Sequence, residues 1–130
     1  MHNIFYTWDE AIQNSYDLAE KIQADGFIPD RVVGIIRGGV ITGTIISYFL
    51  GKEFQALDAN LRDYPHWEHY VPKRGDKKVL FVDDIIDSGE TFSRIRERIY
   101  DNRFDIEARY ATLWYNNECE LFKPDYFAID

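Results

Sequence analysis

Several features are scarce in this sequence, and each scarcity excludes a class of protein. Cys119 is the single cysteine, so no disulfide can form within the chain and a disulfide-stapled secreted domain is excluded. No apolar run approaches the roughly 20 residues that cross a bilayer. The first residues also lack the basic stretch and apolar run of a signal peptide. We therefore expect a protein of the reducing cytoplasm that has no membrane partner.

Basic residues are also fewer than acidic ones. The chain has 15 basic and 23 acidic residues, which gives a formal net charge of −8. This charge repels a phosphate backbone, so nucleic-acid binding would require a concentrated basic patch. The basic stretch over residues 73–78 is interrupted by Gly75 and Asp76 and is typical of a solvated loop. We therefore expect no nucleic-acid partner.

What is present is the composition of one folded domain. The chain has 130 residues, of which 45% are hydrophobic and 16% aromatic. A chain of this length can bury most of its apolar surface without disulfides, and it leaves no room for a second full domain. We expect a single domain over residues 1–130.

Helical and strand patterns alternate along the chain. Thr7-Trp8-Asp9-Glu10 has the form of a capping box, and Ala11, Ile12, Leu18, Ala19 and Ile22 continue it as an apolar helix face. Further helices are predicted over residues 40–50, which Gly51 closes, and 91–100; strands are predicted over 32–36, 54–57, 79–82, 108–115 and 126–129. The short β-branched runs are typical of strands buried on both faces of a parallel sheet. The pattern predicts an α/β fold with a Rossmann-like, open, mainly parallel sheet flanked by helices.

The stretch over residues 58–78 is long, polar and aromatic, without a sustained period. Loops of this length in compact domains are usually functional or disordered, so we expect a mobile loop there. His66 and His69 lie in it, but two histidines without a third ligand nearby are usually unliganded.

The residues after the Val79–Val82 strand carry the clearest chemical signal. Asp83 and Asp84 put two carboxylates side by side, which is electrostatically costly unless a cation or a polyol faces them. The Asp87–Thr91 turn follows, and its glycine, hydroxyls and helix start suit a phosphate monoester. Together they indicate a sugar phosphate, with the acids on ribose hydroxyls and the turn on the 5′-phosphate. The sequence has neither a Walker motif nor a G-x-G-x-x-G motif.

Two segments resemble one known family. Val79-Leu-Phe-Val-Asp-Asp-Ile-Ile-Asp-Ser-Gly-Glu-Thr91 resembles the signature with which type I phosphoribosyltransferases bind 5-phosphoribosyl 1-pyrophosphate (PRPP). Gly34-Ile-Ile-Arg-Gly-Gly-Val-Ile-Thr-Gly43 is similar to the family's pyrophosphate-binding loop. Tyr6-Thr7-Trp8 before a helix is similar to the start of the xanthine-guanine and hypoxanthine-guanine members. The resemblance implies a type I phosphoribosyltransferase core.

The resemblance also implies roles for individual residues. Asp83 and Asp84 would contact the ribose hydroxyls, with Asp84 also near Mg²⁺, the implied cofactor. Asp87, Ser88, Gly89, Glu90 and Thr91 would hold the 5′-phosphate; Arg37, Gly38 and Gly39 would bind pyrophosphate. Asp87 matches the general base for a purine nitrogen, and the loop around residues 62–74 would be the flap over PRPP. The implied reaction is attack of a nucleobase nitrogen on C1 of the ribose, with release of pyrophosphate, by a homodimer or other homo-oligomer.

The sequence departs from the family where the acceptor base should bind. Asn116 stands where the purine-salvage enzymes have a lysine, and the chain ends at Asp130, where those enzymes continue into a hood over the base. The candidates for base contact are Trp114, Tyr115 and Asn116.

Three explanations for this departure stay open. The chain is a minimal transferase with Trp67, Trp114 or Tyr115 as base platform, or a partner subunit completes the site, or it is a non-catalytic protein that senses PRPP or a nucleotide. A flavodoxin-like or receiver-like domain would explain the paired acids, but neither the loop over residues 37–39 nor the phosphate turn.

Overall fold

The chain folds into alternating helices and strands, seen in a computed structural model that describes residues 7–58, 73, 75–101 and 105–130. In these ranges lie helices α1 (Trp8–Ala24), α2 (Gly39–Leu50) and α3 (Glu90–Asp101), and strands β1 (Arg31–Ile35), β2 (Glu53–Leu57), β3 (Lys78–Ile86), β4 (Glu107–Tyr115) and β5 (Tyr126–Ile129). Each of the elements predicted from the sequence is present. Most of the loop expected over residues 58–78, including Trp67 and the two histidines, lies outside the described residues.

The five strands form one parallel sheet in the order β2-β1-β3-β4-β5. The chain adds β2 on one side of β1 and then β3 on the other side, so the order reverses between β1 and β3. In open α/β sheets ligands bind beyond the carboxyl ends of the strands at such a reversal. The predicted fold class is confirmed, and the reversal marks where a ligand site is expected.

Two apolar clusters cover the two faces of the sheet. Along β3, Leu80 and Val82 pack in the cluster that includes residues of α1 and α2, whereas Val79 and Phe81 pack in the cluster of α3. Successive strand residues point to opposite faces, so the two clusters lie on opposite sides of the sheet. Helices α1 and α2 therefore cover one face and α3 the other. No helix of the described ranges has both the length and the apolar character needed to span a bilayer.

The helix ends follow the sequence signals closely. The Thr7 side chain caps α1 by accepting a hydrogen bond from the Glu10 amide at 3.1 Å. Gly51 closes α2 with φ of 67°, a left-handed conformation that glycine adopts without steric cost. Ile12 departs from the prediction, because it lies on the flank of the buried stripe of α1 and is 40% exposed.

Candidate functional site

The loop between β1 and α2 lies directly against the end of β3. A Cβ atom added to Gly38 would overlap the carboxylate of Asp84. One added to Gly39 would lie 3.0 Å from the Cα atom of Asp83 and would overlap the carbonyl oxygen of Val82. Only glycine allows this approach. Two segments that the sequence singled out separately, the loop over residues 37–39 and the acidic pair, are therefore in contact.

The acidic pair lies within β3 rather than after it. We expected the strand to end at Val82, but it continues to Ile86 because β4 supplies ladder partners, with Asp83 opposite Thr112 and Ile85 opposite Trp114. Neighbouring residues of a strand point to opposite faces. The two side chains therefore leave the strand toward different sides, although their carboxyl groups stay close enough to interact with each other.

Each acid lines its own cavity. Asp84 faces a cavity of about 350 Å³ on the α1–α2 side, which Arg37, Gly38 and Leu113 also line. Asp83 faces a cavity of about 160 Å³ on the α3 side, lined by the Asp87–Thr91 turn. The loop and the turn thus form the walls of two cavities separated by the end of β3.

Asp83 has a strongly perturbed acidity. Its carboxylate accepts a hydrogen bond from the Asp84 amide at 2.8 Å. Burial, with the nearby charge of Asp84 adding to it, raises the pKa of Asp83 to about 8. A cation or donor hydroxyls facing the pair would favour the ionised form. Among the residues that the structure describes, no group of three or more His, Cys, Asp or Glu side chains could hold a metal ion.

The Asp87–Thr91 turn leads directly into α3. Gly89 has φ of 80°, a left-handed value, and its carbonyl accepts the hydrogen bond from Ser93 N at 3.0 Å that opens the helix. The first N–H groups of a helix carry partial positive charge and lack partners within the helix. Ser88 and Thr91 are exposed beside them. The turn therefore has the donors that an anion requires.

The connection between β4 and β5 supports this turn from behind. The Asn116 side-chain amide donates to Asp87 Oδ1 at 3.1 Å, and the Cys119 thiol donates to the Ser88 carbonyl at 3.3 Å. A Cβ atom on Gly89 would lie 2.8 Å from Cβ of Phe122. The sequence alone does not reveal this support, because the hydrogen-bonded residues lie 29 and 31 positions apart in the chain and no local pattern links them.

The three candidates for base contact have different surroundings. Tyr115 is only 7% exposed and its ring lies 5.3 Å from that of Phe127 in the core. Tyr115 therefore packs in the core, and its role as a base platform stays a prediction. Trp114 is half-buried in β4. Asn116 is half-buried with its amide on Asp87.

These features define an α/β protein with a candidate ligand site at the carboxyl ends of its parallel strands. Residues 2–129 match the phosphoribosyl transferase domain family. The chain belongs to that family, as the resemblance of its two motifs implied.

The relatives agree in fold and class. The chain is 31% identical to a xanthine-guanine phosphoribosyltransferase of Cereibacter sphaeroides, over 69% of this chain and 61% of that protein, so the match spans less than two thirds of the relative's length. It is similar in structure to the xanthine-guanine-hypoxanthine phosphoribosyltransferase of Helicobacter pylori, with a TM-score of 0.82 and 22% identity, covering 99% of this chain and 87% of that one. A purine phosphoribosyltransferase of Pyrococcus horikoshii has a TM-score of 0.74 and 25% identity, with the same coverage of both chains.

Proposed function

We propose that this protein binds PRPP together with Mg²⁺ and transfers the phosphoribosyl group to a nucleobase, a purine, with release of pyrophosphate. The observation that carries the proposal is the contact of the Arg37–Gly39 loop with Asp84 on one side of β3, while Asp83 and the Asp87–Thr91 turn share a cavity on the other. PRPP has a phosphate group at each end of its ribose. Two anion-binding segments flanking an acidic pair match that distribution of charge and hydroxyls.

Arg37, Gly38 and Gly39 would bind the pyrophosphate. The Arg37 side chain is exposed at the mouth of the larger cavity, and a guanidinium makes charge-assisted hydrogen bonds to phosphate oxygens. The backbone of two glycines adds N–H donors that no side chain shields. At the other cavity, the N–H groups and hydroxyls of the Asp87–Thr91 turn would hold the 5′-phosphate.

The acidic pair fits a divalent cation and a polyol. Asp83 and Asp84 lie side by side at a strand end, and burial disfavours the ionised form of Asp83 when no cation or polyol faces the pair. Carboxylate oxygens are ligands that Mg²⁺ prefers, and Asp84 would hold the ion while both acids accept hydrogen bonds from ribose hydroxyls. Mg²⁺ would supply positive charge against the pyrophosphate that leaves.

Asp87 would act as the general base. Its half-buried carboxylate lies at the start of the phosphate turn, beside Asn116 at the end of β4, where it would accept the proton of the purine nitrogen that attacks C1. The remaining task of the protein is to position the two substrates and to stabilise charge that develops between them.

A second candidate function is PRPP or nucleotide sensing without transfer. Tyr115 lies in the core and the Asn116 amide is bound to Asp87, so two of the three expected base contacts are engaged within the protein. A nucleotide pocket that lacks base contacts would bind its ligand without completing the reaction. This reading and the transferase share the PRPP site and differ only in turnover.

One titration series distinguishes the candidates. Calorimetry with PRPP, with and without Mg²⁺, measures binding, and a pyrophosphate-release assay with hypoxanthine, guanine, xanthine, adenine and uracil measures transfer. We expect Asp84→Asn to weaken Mg²⁺-dependent PRPP binding, and Asp101→Asn, the same change at the exposed far end of α3, to leave binding unchanged.

The outcomes separate cleanly. PRPP binding with pyrophosphate release supports the transferase, and binding without release from any base supports the sensor. No PRPP binding refutes both the transferase and a sensor of PRPP, and leaves only a sensor of another nucleotide. The homodimer or other homo-oligomer that the resemblance implies stays a prediction, which light scattering of the purified protein tests.

A further inference from the structure

Asn116 is held in place by every polar group it carries. Its backbone N–H donates to the Ile86 carbonyl and its carbonyl accepts from Cys119 N, both at 2.9 Å. Its side-chain Oδ1 accepts from Glu118 N at 3.1 Å, and its Nδ2 donates to Asp87 Oδ1 at 3.1 Å. With one bond at each polar atom, the side chain has one amide hydrogen and one oxygen lone pair left for any other partner.

The segment after Asn116 is also held against the phosphate turn. The Cys119 thiol reaches the Ser88 carbonyl, and Phe122 packs so closely on Gly89 that no Cβ atom fits between them. Phe122 is 2% exposed and lies in the core cluster of α3. The amide of Asn116 is therefore presented to Asp87 from a rigid base rather than from a loose loop.

We propose that Asn116 is a positioning residue for the transfer reaction: it holds one carboxylate oxygen of Asp87 and leaves the other to accept the proton of the base. The inference rests on the proposed function, in which Asp87 is the general base. A hydrogen bond from an amide to a carboxylate is charge-assisted and stronger than one between neutral groups. It restrains rotation of the carboxylate, and general-base catalysis depends on that geometry. Asn116 thus acts through Asp87 instead of contacting the base as we expected from the sequence.

A purely structural role makes a different prediction. If Asn116 only orders the connection through its bond to Glu118 N, then Asn116→Asp should be nearly silent, because aspartate keeps that acceptor and the same shape. The positioning role predicts the reverse. Aspartate places a second carboxylate against Asp87 Oδ1, whereas Asn116→Ala merely removes the donor. Which of the two variants loses more kcat therefore distinguishes the positioning role from the purely structural one.

The test is steady-state pyrophosphate release with the base that the wild type accepts. We expect kcat to fall roughly tenfold in Asn116→Ala and roughly a hundredfold in Asn116→Asp, by analogy with the loss of one hydrogen bond to a charged group. The KM for PRPP should stay within about twofold, since the phosphate turn is not altered. Asn117→Asp, the same change at the exposed neighbouring position, is the matched control and should leave both constants unchanged. In an Asp87→Ala background, Asn116→Ala should change kcat by less than about twofold, because residues that act as a unit are not additive.

Each outcome bears on the inference. A loss in Asn116→Ala that exceeds the loss in Asn116→Asp overturns it, as does a KM for PRPP that rises in parallel with the fall in kcat. Wild-type kcat in Asn116→Asp overturns the inference and leaves the proposed function standing. A wild type that releases no pyrophosphate with any base refutes the proposed function, and the inference falls with it.

The contact itself has a check that does not need turnover. Asp87→Asn combined with Asn116→Asp restores the hydrogen bond with donor and acceptor exchanged. We expect the melting temperature of this double variant to recover relative to Asn116→Asp alone. No recovery would overturn the contact on which the inference depends, even if Asn116→Asp is too unstable for kinetics.

Discussion

Replacing Gly38 with alanine should weaken PRPP binding while leaving the fold intact. The backbone at Gly38 has φ of −60° and ψ of −32°, a right-handed helical conformation that alanine adopts without strain. The added methyl group overlaps the carboxylate of Asp84, which ends a flexible side chain and can rotate away. We therefore expect the free energy of unfolding to change by less than about 1 kcal/mol.

The expected loss of affinity follows from the displaced carboxylate. In the proposed function Asp84 contacts both the ribose hydroxyls and Mg²⁺, and a hydrogen bond to a charged group contributes about 1.5–3 kcal/mol. At about 1.4 kcal/mol for each factor of ten, the Kd of PRPP with Mg²⁺ should rise roughly tenfold to 150-fold.

Gly51→Ala is the matched control and should lower stability without lowering the affinity for PRPP. A Cβ atom on Gly51 meets no atom within 4 Å, but φ of 67° is unfavourable for alanine, at a cost of about 1–2 kcal/mol. Gly51 follows α2 at the end far from Gly38, so the variant should lose stability and keep affinity.

The assay is calorimetric titration with PRPP and Mg²⁺ beside urea unfolding of the same samples. Wild-type affinity in Gly38→Ala would refute the assignment of this loop and Asp84 to one ligand site. A loss of unfolding free energy in Gly38→Ala as large as that in Gly51→Ala would show instead that Asp84 cannot move aside.

Three further perturbations test other parts of the site. Because the pKa of Asp83 is raised from 3.8 to about 8, the folded protein holds a proton that the unfolded chain releases between these pH values. The stability of the ligand-free protein should therefore fall as the pH rises from about 4 to about 8. Thermal unfolding in the presence of a chelator should show a weaker pH dependence of the melting temperature in Asp83→Asn, and an unchanged dependence would contradict the assignment. Arg37→Ala should weaken pyrophosphate binding more than ribose 5-phosphate binding in separate titrations, and equal losses would count against its role. Gly89→Ala should lower the free energy of unfolding in urea by about 2 kcal/mol or more, because φ of 80° is unfavourable for alanine and Phe122 blocks the added Cβ atom. The variant should also bind ribose 5-phosphate more weakly. Wild-type stability would show that the turn and Phe122 can separate.

Features decided by short stretches of chain were predictable from the sequence. The Thr7 cap and the Gly51 stop each depend on a few adjacent residues, and the buried strands have apolar runs that any parallel sheet requires. The alternation of helices and strands then restricts the connections to right-handed crossovers. The two motifs of the site are local as well, and they led to the family before any contact was known.

Features decided by partners far along the chain were not predictable. The apolar run of β3 ends at Val82, and only pairing with β4 extends the strand through the acidic pair. Tyr115 belongs to the core because β5 brings Phe127 beside it. The engagement of Asn116 with Asp87 likewise requires the connection after β4 to fold back on the phosphate turn. Each of these features depends on a contact between distant segments, which no local sequence pattern predicts.

The extension of β3 changes how the acidic pair can act. Neighbouring aspartates of a strand leave the backbone toward opposite faces, and here each lines a different cavity although the two carboxyl groups lie close together. A ligand that fills both cavities must therefore lie across the end of the strand, with a part on each side. PRPP has that form, since its ribose separates a pyrophosphate from a phosphate. The same reasoning explains why loss of Arg37 should affect the pyrophosphate end more than the 5′-phosphate end, because Arg37 lines the cavity of Asp84 and not the cavity of the Asp87–Thr91 turn.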